Sequence, residues 1–565
     1  MMTASRPSSV TGPWLRDLLW LGLAFGFLFG FMLGTRALGT PDEARYSEIP
    51  REMVATGHYI TPRLDGVTYL EKPPLFYWLQ TASIHIFGLS EWSMRMWTGL
   101  FALAGVLATY AAGRFLFDRR TGLLSAAVLG SSFLYYGMSR VVTLDMAVSV
   151  LISLTLLAFL VGLRFPMGRT RRYWMWLAYL LAAAAVMTKG LIGIVLPMLV
   201  IGVWIMILNR WRVLTQIYLG SGLLLFLVAA APWHVLAQLH HPEFLHYYFI
   251  HQHFERYLTP VSHRPGPPWY FLMVTLLGFL PWTPFLVQAL VATVPFRTAD
   301  REIRDTELFL ALWALLILLF FSVSDSKLIP YILPIFPALA LLTGRYFSKQ
   351  WQAEAATGLR AGYWILALVL AALAVAIFRV PLFRPTLHPA ELAASMHVLA
   401  VMLGVSAAAV LWTGSRRGLR LAFPTILGGF ALFLLTLNAA IPALDIRSIK
   451  PLVLTLKQQL RPQDEVASYG DYWQDLPFYL RRTVTIVHWQ GELAEGLKHE
   501  NDSAWVIGRP AFWRQWQSPR RVYLVTSRAE YDRLRARGVR MYVVAQNPYN
   551  VIACNQNYRY LPPSH

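Results

Sequence analysis

The sequence predicts a polytopic α-helical membrane protein that carries a small soluble α/β domain at its carboxyl end. Apolar runs of about twenty residues, the length that crosses a bilayer as a helix, recur between positions 14 and 441, and short basic segments separate them. Charged residues make up only 14% of the chain, against roughly 25% in an ordinary soluble domain. Such runs are predicted to be helices because a helix satisfies every backbone hydrogen bond within one segment in lipid.

The apolar runs predict about thirteen spans. They lie near Trp14–Leu38, Trp92–Leu116, Gly122–Met138, Leu144–Leu163, Tyr173–Met187, Leu191–Leu208, Val213–Leu236, Trp269–Val291, Leu308–Val323, Leu328–Tyr346, Ala361–Phe378, Leu392–Trp412 and Leu421–Ile441. The first run lacks a small-residue cleavage motif, so we predict a retained span and not a removed signal peptide.

The basic segments set the direction of the spans. Arginines fall on alternate connections, at positions Arg119, Arg120, Arg169, Arg171, Arg172, Arg210, Arg212, Arg297, Arg301, Arg304, Arg416, Arg417 and Arg420. The positive-inside rule places all of these in the cytoplasm, which explains most of the net charge of +20 without a nucleic-acid partner. An odd number of spans then leaves the carboxyl-terminal tail outside.

The tail differs from the membrane region in its sequence pattern. Short β-like runs at Glu465–Ser468, Val484–Val487, Arg521–Val525 and Met541–Ala545 alternate with polar helical segments such as Arg528–Arg537. We therefore predict a membrane catalytic domain over residues 1–442, with long outer connections at 39–91 and 237–268, and an outer α/β domain over residues 443–565. The single cysteine, Cys554, excludes an intramolecular disulfide and a four-cysteine zinc site.

The first outer connection begins with an acidic motif, Thr40–Tyr46. Threonine as N-cap, proline at the first helical position and Glu43 at the third predict a capping box, which is a purely structural role for Glu43. The capping box does not need Asp42. Asp42 is therefore the better candidate for chemistry.

A second motif in this connection is Tyr69-Leu70-Glu71-Lys72, which two prolines follow. The prolines predict an extended segment that leads into a helix. Glu71 and Lys72 form either an ordinary interfacial ion pair of small energy or a prepositioned contact for phosphate and sugar.

Asp145 and Lys189 lie at the outer ends of predicted spans. Asp145 either complements a helix N-terminus that Thr143 caps or faces a polar cavity, since an acid deeper in lipid costs roughly 2.5–3.5 kcal/mol. The apolar stretch from Trp174 to Leu208 is too long for one span, so its turn must fall at Lys189-Gly190. Lys189 either extends to lipid headgroups or presents a point charge to a phosphate.

Further cations lie in the second outer connection and at a later helix end. The connection holds His251, His253, Arg256, His263 and Arg264, and another outer helix end holds Lys327 and Tyr331. Interfacial anchoring accounts for these residue types as well as binding does. The histidines lack the spacing that puts two on one helical face, so the metal signal is weak. Jointly, however, two acids and at least four cations gather on one face, which suits a phosphate-bearing substrate presented from the bilayer.

The order of these motifs closely resembles that of the aminoarabinose lipid A transferases, which belong with the protein O-mannosyltransferase-like, C-type glycosyltransferases. The resemblance rests on Thr40-Pro-Asp-Glu-Ala-Arg-Tyr46, Tyr69-Leu-Glu-Lys-Pro-Pro-Leu-Phe-Tyr-Trp78, Leu144-Asp145, Met187-Thr-Lys-Gly190, His253-x-x-Arg256, His263-Arg-x-Gly-Pro-x-Trp-Tyr270 and Ser326-Lys-Leu-x-x-Tyr-x-Leu-Pro334. It covers the membrane region and the small outer domain, and it implies a C-type glycosyltransferase architecture.

The resemblance also implies an activity. Such a pentosyltransferase moves 4-amino-4-deoxy-L-arabinose from undecaprenyl phosphate to a lipid A phosphate, on the periplasmic side of a bacterial inner membrane. The product carries less negative charge, which gives resistance to polymyxin and other cationic antimicrobial peptides. The implied partners are the lipid-linked sugar donor, the lipid A acceptor and membrane lipids.

The matching positions carry the implied site. The resemblance implies catalytic roles for Asp42, Asp145 and Glu43, and substrate-binding roles for Arg45, Tyr69, Lys72, Lys189, Arg256, Lys327 and Tyr331. No cofactor is required, although Glu71 with His253 is a candidate pair for a divalent cation. One departure is Gln252, where much of the family has a glutamate before the loop histidine. Either Glu255 or Glu71 replaces that acid, or its role is absent from this chain.

Two alternatives stay open at this stage. A protein O-glycosyltransferase would need a general base for its hydroxyl acceptor, which would make Asp42 indispensable, whereas a phosphate acceptor is already anionic because its second pKa is about 6. A lipid transporter or flippase would show ionisable residues at the midplane and internal repeats, and neither is evident in this chain.

Overall fold

The computed structural model of the chain describes residues 14–255, 265–293, 298–352, 358–383, 390–499 and 505–557. The chain forms two compact units. The first unit contains residues up to Leu33 and Arg95–Ala440, and the second contains Gly34–Met94 and Ile441 onward. The sequence prediction assigned residues 39–91 to the membrane domain, whereas in the structure they pack with the carboxyl-terminal region.

The first unit is helical. Its helices are Trp14–Gly30, Glu91–Leu116, Arg119–Ser131, Phe133–Met138, Leu144–Leu163, Arg169–Lys189, Ile192–Ile207, Val213–Gln216, Leu219–His240, the π-helix His246–Glu255, Tyr270–Gly278, Thr283–Thr293, Arg301–Val323, the 3-10 helix Ile329–Ile335, Phe336–Gln352, Leu359–Phe383, Ala390–Arg416 and Leu419–Leu444. Helix Leu144–Leu163 has the predicted bounds and is its most buried candidate span, since 89% of its apolar window lies inside the protein.

Within the described ranges, eight helices are long and apolar enough to cross a membrane, or nine if the bent pair Tyr270–Gly278 and Thr283–Thr293 is one span. The predicted number of about thirteen spans is therefore not confirmed. Helices Trp14–Gly30 and Ile192–Ile207 have 17 and 16 residues, which is short for a full span.

Two predicted spans are broken in the structure. The run Gly122–Met138 divides at Ser132, whose backbone is extended, and the run Trp269–Val291 bends by 110° between its two helices. Both runs are apolar on each side of the break, and only a few polar or small residues separate the two parts. Hydropathy alone therefore gives no sign of the change in chain direction. By contrast, the predicted turn after Lys189 is confirmed, because the helix ends there and Gly190 has a φ of 90°.

The second unit combines helices and two small sheets. Its helices are Asp42–Thr56, Leu75–Phe87, Lys450–Lys457, Asp475–Leu480, the 3-10 turn Gly491–Leu493, Gly496–His499, Arg509–Trp516 and Arg528–Ala536. Its strands are β1 (Arg63–Leu64), β2 (Val67–Thr68), β3 (Glu465–Tyr469), β4 (Thr485–Val487), β5 (Val506–Ile507), β6 (Val522–Ser527), β7 (Tyr542–Gln546) and β8 (Asn550–Cys554).

β1 and β2 form an antiparallel hairpin, and the other strands form a six-stranded sheet in the order β5-β4-β3-β6-β8-β7. Strands β3 to β6 are parallel, whereas β8 pairs antiparallel with β6 and β7. The chain moves outward from β3 to β5 and then returns to β6. Since such crossovers are right-handed, helices Asp475–Leu480 and Arg509–Trp516 lie on opposite faces of the sheet.

The four predicted strands of the tail and its helix at 528–537 are confirmed within two residues at each end. Prediction missed β5 and β8. β5 has only two residues, too few to show an alternating pattern, and β8 is a short apolar run that is buried on both sides.

Hydrogen bonds hold the first outer connection to the sheet within this second unit. The Asp65 Oδ1 atom in the β1–β2 turn accepts the backbone N–H of Val484 at 2.9 Å, and the backbone N–H of Leu38 donates to the Tyr479 hydroxyl at 2.9 Å. The positive φ of 82° at Gly66 lets the turn fit against Trp505.

Asp475 is a buried acid with an unusual environment. It begins helix Asp475–Leu480, its side chain is 2% exposed, and its Oδ1 atom has no hydrogen-bond partner within the described ranges. Burial raises the pKa of Asp475 from its ordinary value of 3.8 to about 8. The folded protein therefore holds a proton on this carboxyl group at neutral pH.

We expect Asp475→Asn to be more stable than the parent at alkaline pH and similar near pH 4. The unfolded carboxyl ionises above about pH 4 while the folded one keeps its proton up to about pH 8. The contribution of Asp475 to stability therefore falls by about 1.4 kcal/mol per pH unit as pH rises through this window, and asparagine avoids this loss. Unfolding midpoints of both proteins from pH 4 to pH 9 check this; a constant difference between them would contradict it.

Candidate functional site

The structure places the predicted site residues in two groups, one in each unit. The group in the second unit contains Asp42, Glu43, Arg45, Tyr69, Glu71 and Lys72, and the group in the first unit contains Asp145, Lys189, Lys327 and Tyr331.

Arg45 is the centre of the group in the second unit. Its guanidinium forms ion pairs with Asp42, one turn earlier on the same helix, and with Glu492 from the carboxyl-terminal region. Arg45 is 8% exposed, whereas the Asp42 side chain is 46% exposed. Asp42 is thus a carboxylate held in place on one side and open to solvent on the other.

The surroundings keep Arg45 charged. Burial acts against its charge, but Tyr69, Tyr46, Glu492 and Asp42 nearby raise the pKa of Arg45 well above its ordinary value. Burial raises the pKa of Glu492, and Arg45 opposes that change. The second oxygen of Glu492 accepts a hydrogen bond from Gln474 Nε2 at 3.1 Å.

The predicted capping box at Thr40 is wrong. The helix begins at Asp42 with Pro41 as its N-cap, and no side chain makes a capping hydrogen bond. Because the helix starts one residue later than predicted, the Glu43 carboxylate reaches past Thr40 and accepts the Gly39 N–H at 2.8 Å. Glu43 also pairs with Arg36 at 2.7 Å and is 2% exposed.

The side chains of the Tyr69–Lys72 motif make hydrogen bonds within the motif. The Tyr69 hydroxyl donates to Glu71 Oε2 at 3.1 Å, and the Lys72 ammonium donates to the backbone carbonyl of Glu71 at 3.0 Å. Burial raises the pKa of Tyr69 well above its ordinary value, so this hydroxyl remains a donor. The predicted helix after the prolines is present, with Pro74 as its N-cap.

In the first unit, the structure brings Asp145, Lys189 and Tyr331 together. Helix Leu144–Leu163 presents Asp145 in its first turn, and helix Arg169–Lys189 presents Lys189 in its last. The two side chains form an ion pair in which each is 12% exposed, and Lys189 Nζ lies 4.9 Å from the centre of the Tyr331 ring. Thr143 is the N-cap residue, but its side chain makes no capping hydrogen bond.

Lys327 has a different setting. Its ammonium donates to the backbone carbonyls of Ser322 at 2.9 Å and Ser324 at 2.8 Å. It borders a cavity of ≈ 560 Å³ that is lined mainly by apolar side chains such as Trp269 and Leu272, and also by Asp325. An ammonium carries three N–H groups, so one remains to contact a phosphate oxygen.

Two residues of the predicted site are not fully described by the structure. Arg256 lies outside the described residues, and so does the side chain of His253, whose backbone belongs to the π-helix His246–Glu255. The described part of the chain contains no group of three or more histidine, cysteine, aspartate or glutamate side chains that could hold a metal ion. A cation held by Glu71 and His253 stays a prediction. Gln252 Nε2 donates to the Tyr247 hydroxyl at 2.7 Å.

Two protein-family models match parts of the chain. Residues 452–555 match the model of the aminoarabinose transferase C-terminal domain, and residues 71–235 match that of the dolichyl-phosphate-mannose-protein mannosyltransferases. The undecaprenyl phosphate-alpha-4-amino-4-deoxy-L-arabinose arabinosyl transferase of Pectobacterium carotovorum is 30% identical over 503 residues, which are 86% of this chain and 88% of the relative.

The chain belongs to this arabinosyl transferase family. A second family member, from Sodalis glossinidius, is 31% identical and the alignment covers 83% of this chain and 84% of the relative. The crystal structure of ArnT from Cupriavidus metallidurans bound to undecaprenyl phosphate superposes with a TM-score of 0.83, at 28% identity, over 97% of this chain and 99% of that chain. The predicted C-type glycosyltransferase architecture and the multi-pass membrane location are thereby confirmed.

Glu492 is a residue that sequence reasoning missed in this arabinosyl transferase. It lies 447 positions from Arg45 in a short 3-10 turn, and no periodic pattern or motif surrounds it. A buried arginine needs anionic partners, but the sequence does not show which distant acid supplies the second one.

We expect Arg45→Ala to destabilise the protein by about 3–5 kcal/mol, because it leaves Glu492 buried without its cation. Adding Glu492→Gln should restore part of this loss, so that the two substitutions are not additive. Urea unfolding of the purified protein in detergent, for both single variants and the double variant, measures the coupling.

Arg533→Ala is the matched control for this cycle. Arg533 pairs with Glu530 on an exposed helix at 2.9 Å, and its side chain is 68% exposed. Exposed pairs contribute about 1 kcal/mol or less, so this variant should unfold at nearly the parental urea concentration. Equal effects of Arg45→Ala and Arg533→Ala would disprove the importance of the buried pair.

Proposed function

We propose that this protein transfers 4-amino-4-deoxy-L-arabinose from undecaprenyl phosphate to a phosphate group of lipid A. The observation that carries this proposal is the similarity, over nearly the whole chain, to a transferase whose crystal structure contains undecaprenyl phosphate. Relatives named for the same donor and sugar support it. The product would carry less negative charge and would bind polymyxin and other cationic peptides less strongly.

In the proposed reaction, the bond between the anomeric carbon of the sugar and the undecaprenyl phosphate oxygen breaks. An oxygen of the lipid A phosphate forms the new bond to that carbon, and undecaprenyl phosphate departs as an anion. Catalysis must therefore stabilise negative charge on the leaving phosphate and positive charge on the sugar.

We assign phosphate-binding roles to fixed cations: Lys72 in the second unit, Lys189 and Lys327 in the first unit, and Arg256. The position of the Lys189 ammonium supports this role, because Asp145 and the Tyr331 ring already orient it. Such preorganised charges stabilise a developing anion without reorganising during the reaction.

We propose that a carboxylate stabilises the positive charge of the sugar, with Asp42 and Asp145 as the candidates. Asp42 is the stronger candidate, since Arg45 fixes it while half of its side chain remains accessible. We assign Arg45 and Tyr69 either to contacts with the substrate or to holding Asp42 in position. We assign Glu43 a positioning role in place of the predicted catalytic one, because it is buried against Gly39 and Arg36.

The acceptor chemistry favours a phosphate over a protein hydroxyl. A phosphate monoester is mostly ionised at neutral pH, since its second pKa is about 6, and so it needs no general base.

We propose that the protein lies in the bacterial inner membrane with its active face and carboxyl-terminal domain in the periplasm. The alternating arginine-rich connections support this orientation through the positive-inside rule.

We further propose that transfer needs no metal ion, since fixed lysine and arginine side chains supply the phosphate-binding charge. Purified protein in proteoliposomes with donor and lipid A should keep its full turnover after chelator treatment. Loss of turnover that zinc or another divalent cation restores would instead assign a metal to Glu71 and His253.

The decisive test is mass spectrometry of lipid A from a strain that makes the aminoarabinose donor but lacks its own transferase. Expression of this chain should add aminoarabinose to lipid A. Asp42→Asn should lower the initial rate of addition by about a hundredfold, because a neutral amide cannot stabilise the cationic sugar.

Asp532→Asn is the matched control, since this aspartate is 55% exposed and lies on a helix of the outer sheet domain. It should modify lipid A as the parent does at equal membrane expression. Unmodified lipid A with the parent chain would disprove the lipid A assignment and direct the search to protein hydroxyl acceptors.

A further inference from the structure

The region from residue 505 to 557 has an unusual charge. It contains nine arginines, no lysine and only two acids, Glu530 and Asp532. The positive-inside rule accounts for arginines in cytoplasmic connections, but it gives no reason for this concentration in a domain proposed to face the periplasm.

The structure gathers several of these arginines on one face of the six-stranded sheet. Helices Arg509–Trp516 and Arg528–Ala536 both pack on the face formed by Ala467, Tyr469 and Leu524, through Phe512, Trp516 and Leu534. The arginines on the outward sides of this layer are Arg509, Arg514, Arg535 and Arg537, which we call the arginine surface; all four are exposed.

Two observations associate Arg509 and Arg537 with the same part of the sheet face. Arg509 lies one helical turn before Trp513, Arg537 lies two residues before Val539, and both Trp513 and Val539 pack against the same buried cluster. In addition, burial raises the pKa of Tyr469, Arg509 and Arg537 both oppose that rise, and Glu530 adds to it.

The acids of this region do not neutralise the surface. Glu530 pairs with Arg533 at 2.9 Å, and Asp532 pairs with Arg528 at 3.4 Å. Within the ranges that the structure describes, the four arginines of the surface form no ion pair. Their charges are available to an external anion.

The chemistry of the surface favours a phosphate-bearing partner over a protein. Of the described residues from 505 to 557, only Tyr542 is an exposed large hydrophobic side chain. Stable protein interfaces have an apolar core, and this face lacks one. Guanidinium groups, in contrast, match phosphate oxygens in charge and geometry.

We propose that the arginine surface binds the phosphate groups of the phosphorylated glycolipid acceptor, and so concentrates the acceptor beside the enzyme. This proposal rests on the proposed function. The surface lies on the opposite face of the sheet from helix Asp475–Leu480, which packs against the Asp42 helix. It therefore recruits acceptor molecules and does not hold the reacting phosphate.

The test uses the full-length protein in proteoliposomes of phosphatidylcholine, the sugar donor and increasing amounts of lipid A. Each basic side chain near an anionic lipid surface contributes roughly fivefold to binding. Arg509→Gln with Arg537→Gln should therefore raise the KM for lipid A about twenty-five-fold and leave kcat unchanged. High salt should raise the KM of the parent protein for lipid A by a larger factor than the KM of this variant.

The matched control is Arg481→Gln with Arg520→Gln. Both arginines are exposed in the same unit, but Arg481 ends the helix on the other face and Arg520 precedes β6. This control should keep the parental KM and kcat. An unchanged KM in the Arg509 and Arg537 variant, or a fall in kcat alone, would overturn the proposal.

A second arm replaces part of the phosphatidylcholine with phosphatidylglycerol. If the surface binds the glycolipid, the ratio of variant to parental KM should persist. A ratio that falls to one would show that any anionic phospholipid fills the surface, and it would overturn the glycolipid assignment. A parent protein that transfers no sugar at all would contradict the proposed function itself.

Discussion

The pairing of buried charge is the constraint on which both groups of site residues depend. A buried guanidinium or ammonium is costly unless anions or carbonyl oxygens surround it. Arg45 meets this requirement with one carboxylate from its own helix and one from a segment 447 positions away. The first outer connection and the carboxyl-terminal region consequently fold as one unit.

The same constraint shapes the first unit in another way. Asp145 and Lys189 come from the ends of two helices and neutralise each other, whereas Lys327 is held by backbone carbonyls. A lysine held by carbonyl oxygens keeps its full positive charge, and a lysine paired with a carboxylate presents a dipole.

Charge compensation also explains the two roles of the acids near position 42. Glu43 is fully enclosed and serves the local fold through Gly39 and Arg36. Asp42, the neighbouring residue, points toward solvent while Arg45 holds it. Adjacent helical positions differ in direction by about 100°, which separates a structural acid from an accessible one within two residues.

The sequence by itself determined the membrane class, the positions of most helices, four of the six strands of the tail and the set of charged motifs, because hydrophobic length and periodicity are local properties. The start of helix Leu144–Leu163 and the turn after Lys189 could be located from such local signals. Only the tertiary structure decided the break at Ser132, the later start of the Asp42 helix, the partnership of Glu492 with Arg45 and the gathering of arginines on one sheet face. These depend on contacts between residues far apart in the chain, and a buried charge specifies that it needs a partner without specifying which distant residue provides it.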